Sequence, residues 1–133
     1  MKVIIAGSRS ITDFETIKKA IECCPFSISE VVSGGAKGVD VLGEKYAGEE
    51  KIPVKVFKAL WNKLDAPGAV VKTNSWGKYN VKAGLDRNEQ MGDYADALIA
   101  VWDGSSTGTM HMVNYMHKLG KEVFVYDISD YEQ

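Results

Sequence analysis

The sequence predicts a Rossmann-like, three-layer α/β domain: a mainly parallel five-stranded sheet with helices on both faces. Three observations predict it. Short apolar runs alternate with segments of helical periodicity, in the order β-α-β-α-β-(loop, α)-β-α-β. The runs Val3–Ala6 and Ala97–Trp102 are apolar without interruption, the pattern of strands covered on both faces. Three strand-like runs lead directly into polar loops containing glycine, as parallel sheets do at their ligand-binding edge. At 133 residues the chain is long enough for one domain with a sizeable core and too short for two, so residues 1–133 are read as a single domain.

Val3-Ile4-Ile5-Ala6 is the first strand. Thr12 to Glu15 has the S/T-x-x-E spacing of a capping box, and Phe14, Ile17, Ile21 and Cys24 recur at helical spacing until Pro25 stops the helix. Val31 and Val32 mark the second strand, followed by a helix with apolar positions Val39, Leu42, Tyr46 and Ala47. Ile52–Phe57, weakly alternating and β-branched, is the third strand. Leu85–Tyr94 reads as a helix, Ala97–Trp102 as the fourth strand and Asp103–Gly108 as a turn-rich loop. Met110, Val113 and Met116 or His117 mark a last helix that Gly120 ends, and Glu122–Tyr126 is the last strand.

Composition narrows the function classes. A formal net charge of −2 argues against a general nucleic-acid coat, which carries a large basic excess. The adjacent cysteines Cys23 and Cys24 are poorly placed for a mutual disulfide and read as reduced thiols, which points to a cytoplasmic location. His111 and His117 fall on different faces of a helix, so no metal site is expected. The apolar run at the N-terminus is too short for a signal peptide or a membrane helix, and no membrane association is expected. No motif calls for a cofactor.

The chemistry lies in three loops: Gly7-Ser8-Arg9-Ser10, Ser33-Gly34-Gly35-Ala36-Lys37-Gly38, and Asp103-Gly104-Ser105-Ser106-Thr107-Gly108-Thr109. In an open parallel sheet all three lie along one edge. If the chain winds outward and restarts at the fourth strand, the first and fourth strands are neighbours and their loops flank the crevice. Glycines let backbone N–H groups approach an anion, and each following helix adds unpaired donors and a positive dipole end. Ser8, Ser33, Ser105, Thr107 and Thr109 add hydroxyls. The competing reading is glycine required only by tight strand-to-helix turns. None of the loops is a Walker A or a strict G-x-G-x-x-G sequence.

Arg9 and Arg87 are candidate bidentate anion contacts or structural ion pairs. Asp40 sits where a carboxylate stabilises a helix dipole, and where it can equally bond a ribose hydroxyl. Asp103 is a turn-former or a ligand contact. Residues from Ala59 to Gly84 are too long for a plain connection and read as a flap or insertion, ordered by itself or by ligand. Between Lys58 and Arg87 there are six basic residues (Lys58, Lys63, Lys72, Lys78, Lys82, Arg87) and two acidic ones, Asp65 and Asp86. Such a segment suits closure over a polyanion, or is a solvated loop. Its Trp61, Trp76 and Tyr79 are stacking candidates or the segment's own packing.

Four stretches in this order carry a resemblance. They are Gly7-Ser8-Arg9, Ser33 to Asp40, Arg87-Asn88-Glu89-Gln90-Met91, and Asp96 through the strand to Thr109. Together they resemble the SLOG superfamily, in particular its small YspA/YpsA-related branch of bacterial and phage domains. The superfamily also includes the Lonely Guy phosphoribohydrolases and the Rossmann domain of DprA. The resemblance implies a nucleotide or nucleic-acid site at the glycine loops, with Gly34, Gly35, Gly38, Gly104, Ser106, Gly108 and Thr109 lining it and Arg87 standing at the arginine of an R-N-x-x-M motif. It also implies a homo-oligomer. The Lonely Guy enzymes follow their glycine motif with glutamates; here Met110-His111-Met112 follows Gly108-Thr109, so hydrolase activity is not carried over.

The expectation is therefore a sensing or sequestering module that binds a nucleotide or nucleotide-derived phosphate ligand. Its site would draw on Gly7, Ser8, Arg9, Ser33, Gly34, Gly35, Lys37, Gly38, Asp40, Arg87, Asn88, Asp103, Gly104, Ser105, Ser106, Gly108 and Thr109. One alternative is a hydrolase of an N-glycosidic bond, with Asp103, Asp40 and Glu89 as the candidate carboxylates. A second is single-stranded nucleic-acid binding, less favoured by the charge balance.

Overall fold

The computed structural model describes residues 1–59, 71–74, 77–80 and 82–128; for 71–74 and 77–80 it is the backbone that is described. The elements are β1 (Lys2–Gly7), α1 (Phe14–Cys23), β2 (Glu30–Ser33), α2 (Val39–Glu49), β3 (Val54–Val56), β4 (Val71–Asn74), β5 (Gly77–Asn80), α3 (Lys82–Tyr94), β6 (Ala97–Trp102), α4 (Thr107–Lys118) and β7 (Glu122–Asp127).

The main sheet has five strands in the order β3-β2-β1-β6-β7, and every pairing in it is parallel. The chain winds outward from β1 through β2 to β3, then restarts on the other side of β1 with β6. The reversal therefore falls between β1 and β6, whose register runs from Val3 opposite Ala97 to Gly7 opposite Val101.

Strand periodicity explains the uninterrupted apolar runs. Val3 and Ile5 of β1 join Ile17, Ile21, Val39 and Ala47 in one core, the layer of α1 and α2. Ile4 and Ala6 point the other way, into a core with Met91, Met112, Val113 and Met116 from α3 and α4. Alternate residues serve opposite faces, and both faces are covered, so no polar position is left in the strand.

Several boundaries differ from the sequence expectation. The cap of α1 is Asp13 rather than Thr12, because the Asp13 carboxylate accepts from Glu15 N at 3.1 Å and from the Thr16 hydroxyl at 3.2 Å. The α1 helix ends at Cys23, and Cys24 is extended, as the residue before a proline must be. The third strand is confined to Val54–Val56. The third helix begins at Lys82, and the last at Thr107, three residues ahead of its first apolar position, Met110. Ser106 caps this last helix by accepting from Thr109 N, which lets two poor helix formers, Thr107 and Gly108, occupy its first turn.

Within the segment expected to be a flap, β4 and β5 pair antiparallel, Val71 opposite Asn80 and Asn74 opposite Gly77. Trp61, Lys63, Asp65 and Trp76 lie outside the described residues. The side chains of Tyr79, Lys72 and Lys78 do too. Among the described residues no helix is long and apolar enough to cross a membrane.

Candidate functional site

The loops that follow β1, β2 and β6 meet over the β1–β6 reversal; hydrogen bonds join those of β1 and β6, and Gly38 of the β2 loop packs on the β1 loop. Ser8 N donates to Val101 O at 3.1 Å, and Asp103 N donates to the Ser8 hydroxyl at 3.0 Å. The Ser10 hydroxyl donates to Asp103 Oδ2 at 3.1 Å. Asp103 Oδ1 accepts from Ser105 N and Ser106 N, both at 2.9 Å, and from the Ser105 hydroxyl at 3.2 Å. The Ser105 N–H, with help from Ser106, Ser8 and Ser10, holds this carboxyl well below the usual range. Asp103 is thus an ionised turn-former whose oxygens are already occupied, a poor starting point for proton transfer.

The β2 loop is braced from beneath. Buried Ser33 donates to Glu44 Oε2 at 2.7 Å and accepts from Gly35 N at 3.1 Å, so its hydroxyl is committed inside the protein. Asp40, 5% exposed, accepts from Ala36 N at 3.3 Å through Oδ2. Burial pushes its carboxyl up to about 6, although the Ala36 N–H and the Arg87 guanidinium pull the other way. Gly38 packs where a Cβ would fall 2.7 Å from Ser8 O and 2.8 Å from Arg9 Cα, at φ +80°. Both the left-handed backbone and the contact with the β1 loop require glycine there.

From the other side of the sheet, α3 supplies Arg87 and Asn88. Arg87 Nη1 donates to Gly34 O at 3.4 Å and Nη2 to Asn88 Oδ1 at 3.3 Å, while its buried Nε has no hydrogen-bond partner among the described residues. Asn88 donates from Nδ2 to Gly108 O at 3.3 Å and lies 3.3 Å from His111 Nδ1, which ties α3 to the first turns of α4.

Between these walls is a cleft of about 540 Å³. Its apolar lining is Ala6, Ala36, Met91 and Met112. Its polar lining includes Arg9, Ser10, Asp40, Arg87, Asn88 and Asp103, with residues 105–109 along the start of α4. An apolar bed with a few convergent polar groups is the usual composition of a small-molecule site. Gly108 differs from the other loop glycines. A Cβ there meets nothing within 4 Å, whereas one at Gly7 would sit 2.0 Å from Val101 O and one at Gly34 2.7 Å from Asp40 Oδ2. The protein's own packing accounts for Gly7 and Gly34 but not for Gly108, which faces the cleft.

The expected site residues divide accordingly. Gly7, Arg9, Asp40, Arg87, Asn88, Asp103, Ser105, Ser106, Gly108 and Thr109 line the cleft. Gly34, Gly35 and Lys37 line an adjoining cavity that shares Arg9, Ala36 and Arg87 with it. Ser8, Ser33 and Gly38 stand behind the walls as braces, and Gly104, at φ +89°, shapes the exposed turn. Of the candidate carboxylates, Glu89 lies outside the cleft, exposed beside His111 at 3.9 Å. Thr107, expected only as a hydroxyl of its loop, lines the cleft, as do Ser10, Ala36, Met91 and Met112, which were not among the expected site residues. The two methionines occupy helix positions whose spacing is indistinguishable from ordinary core.

Comparisons with known proteins agree with this picture at the level of fold and family resemblance. Residues 1–64 match the family described as YspA, cpYpsA-related SLOG family. An uncharacterised SPbeta prophage-derived protein of Bacillus subtilis (strain 168), YoqJ, is 29% identical over 65% of this chain and 68% of its own length. The X-ray structure of DNA processing protein A (DprA) from Streptococcus pneumoniae superposes with a TM-score of 0.68 at 19% identity, covering 93% of this chain. This chain spans only 49% of that protein, and the likeness is one of fold.

Proposed function

Residues 1–64 carry the YspA-related SLOG signature on a DprA-like Rossmann fold, and from that premise we propose that the chain binds a nucleotide or nucleotide-derived phosphate ligand in the 540 Å³ cleft without turning it over. The observation that carries this reading is the first turn of α4. It opens onto the cleft at Gly108, where no protein atom fills the space of a side chain. Beyond the Thr109 N–H that Ser106 caps, the first N–H groups of a helix have no intrahelical partner, and with Arg87 in the same lining they suit a phosphate. Ala6, Met91 and Met112, themselves buried, form the apolar floor beneath the space left for a sugar or base.

The carboxylates support binding over hydrolysis. A glycosidic cleavage needs a carboxylate free to stabilise a sugar cation or to activate water. Asp103 is saturated with donors, Asp40 braces the β2 loop, and Glu89 is outside the cleft.

A thermal-shift screen tests this. Its ligands are nucleoside phosphates, cyclic and ADP-ribose-type nucleotides, ribose phosphates and short single-stranded DNA, each followed for product. Ligand at about 100 times its Kd stabilises by about 2.7 kcal/mol. The expected result is a shift with a nucleotide and no product. Product formation overturns the non-catalytic reading, a shift with DNA alone favours nucleic-acid binding, and no shift at all overturns the site.

A further inference from the structure

The cavity beside the cleft has a volume of about 450 Å³ and is walled by Gly34, Gly35 and Ala36. Among the described residues its charged lining is Arg9, Lys37, Lys58 and Arg87, with no carboxylate. Four cations around one concavity stand out in a chain whose net charge is −2. Among the described residues Arg9, Lys37 and Lys58 form no ion pair, and the two salt bridges present, Lys82–Asp86 and His111–Glu89, lie on other side chains. Arg87 brings a buried Nε with no hydrogen-bond partner among the described residues. Asp40, which lines the main cleft and accepts from Ala36 N, offsets part of the charge of Arg87 and leaves Arg9, Lys37 and Lys58 to the cavity.

Like charges gathered in a concavity repel each other, and low-dielectric walls focus their field into the space they enclose. Here the loops after β1, β2 and β3 bring the exposed Arg9, Lys37 and Lys58 to one concavity, and α3 brings Arg87. Arg9 and Arg87 line both compartments, so a molecule occupying the cleft reaches the cavity past these two residues.

We propose that this cavity binds a second phosphate of the ligand, so that the protein selects nucleotides with two phosphate groups set apart on the molecule over nucleoside monophosphates. The inference rests on the cleft being a nucleotide site. One phosphate sits at the first turn of α4, the nucleoside lies on the apolar bed, and the other phosphate is held by Lys37, Lys58 and the two shared arginines.

The test is isothermal titration of the four ribonucleoside 5′-monophosphates and the four 3′,5′-bisphosphates against the wild-type chain and against Lys58→Ala and Lys58→Glu. Lys58 is exposed and lines the second cavity alone, so melting temperature should be retained in both variants. The best bisphosphate is expected to bind at least about tenfold tighter than its monophosphate, the size of a charge-assisted contact. That preference should shrink in Lys58→Ala and vanish in Lys58→Glu, with monophosphate affinity changed less than about twofold in Lys58→Ala. Equal affinity for the two series in the wild type, or a preference that survives Lys58→Glu, overturns the proposal and leaves the nucleotide reading standing. Binding of neither series overturns the proposal, while the nucleotide reading stands or falls with the wider thermal-shift screen.

Discussion

Asp40 and Arg87 face each other across Gly34: a Cβ on that glycine would lie 2.7 Å from Asp40 Oδ2 and 3.0 Å from Arg87 Nε. One residue comes from α2 and the other from α3, on opposite faces of the sheet, and the bare backbone of the β2 loop is what lets them approach. Replacing Gly34 with Ala forces one of these groups to move. We expect Gly34→Ala to lose about 1–3 kcal/mol in urea unfolding, as overpacking of a filled site does.

Gly108→Ala should behave in the opposite way. The added methyl meets no protein atom, and alanine is the better helix former, so stability should be unchanged or rise by up to about 1 kcal/mol. Gly108 lines the cleft, so a methyl added there should weaken whichever nucleotide the thermal-shift screen identifies. A stable Gly108→Ala protein with undiminished affinity would place the ligand elsewhere.

The buried Asp40 gives stability a defined pH dependence. With its carboxyl pushed up to about 6, the folded state holds a proton there that the unfolded chain releases near pH 4. Between those values the native state binds more protons, so this residue's contribution to stability falls as pH rises and levels off above about 6. Asp40→Asn removes the titration. The stability of Asp40→Asn relative to wild type should rise by up to about 3 kcal/mol from pH 4 to pH 7. A flat difference would show that Asp40 does not carry this titration.

Asp103 works with the reverse sign. Its carboxyl is held below the usual range by the Ser105 and Ser106 N–H groups, so its stabilising effect is complete above the unfolded value and is lost as pH falls toward the lower folded one. Asp103→Asn should be destabilised at neutral pH, with the gap to wild type closing in acid, as read from melting temperatures across that range. Under the non-catalytic reading the substitution abolishes no reaction.

Lys121 closes the end of α3, donating to Gly92 O at 2.8 Å, Asp93 O at 3.1 Å and Ala95 O at 2.8 Å. A cation bonded to the last carbonyls of a helix both satisfies them and opposes the dipole. Lys121→Met keeps the stem and loses the charge, and should cost about 1–3 kcal/mol in urea unfolding.

Much of this molecule was legible as a sequence. The uninterrupted apolar runs at Val3–Ala6 and Ala97–Trp102 report strands covered on both faces, and glycine loops after three strands locate the edge where a parallel sheet opens. Those signals are local, set by the two-residue period of a strand and by the turn chemistry of glycine. The division of labour among the loop residues was not local. Ser8, Ser33, Ser105 and Ser106 have the same hydroxyl and similar glycine-rich surroundings. Yet Ser8 is committed to Asp103, 95 positions away, and Ser33 to Glu44, while Ser105 and Ser106 line the cleft. A residue type states what a side chain can bond; only the sheet order, which brings β6 beside β1, determined which partner arrives first. Met91 and Met112 are core residues, each 1% exposed, that also come to the floor of the cleft, because helical spacing specifies a buried face and not where an opening approaches it.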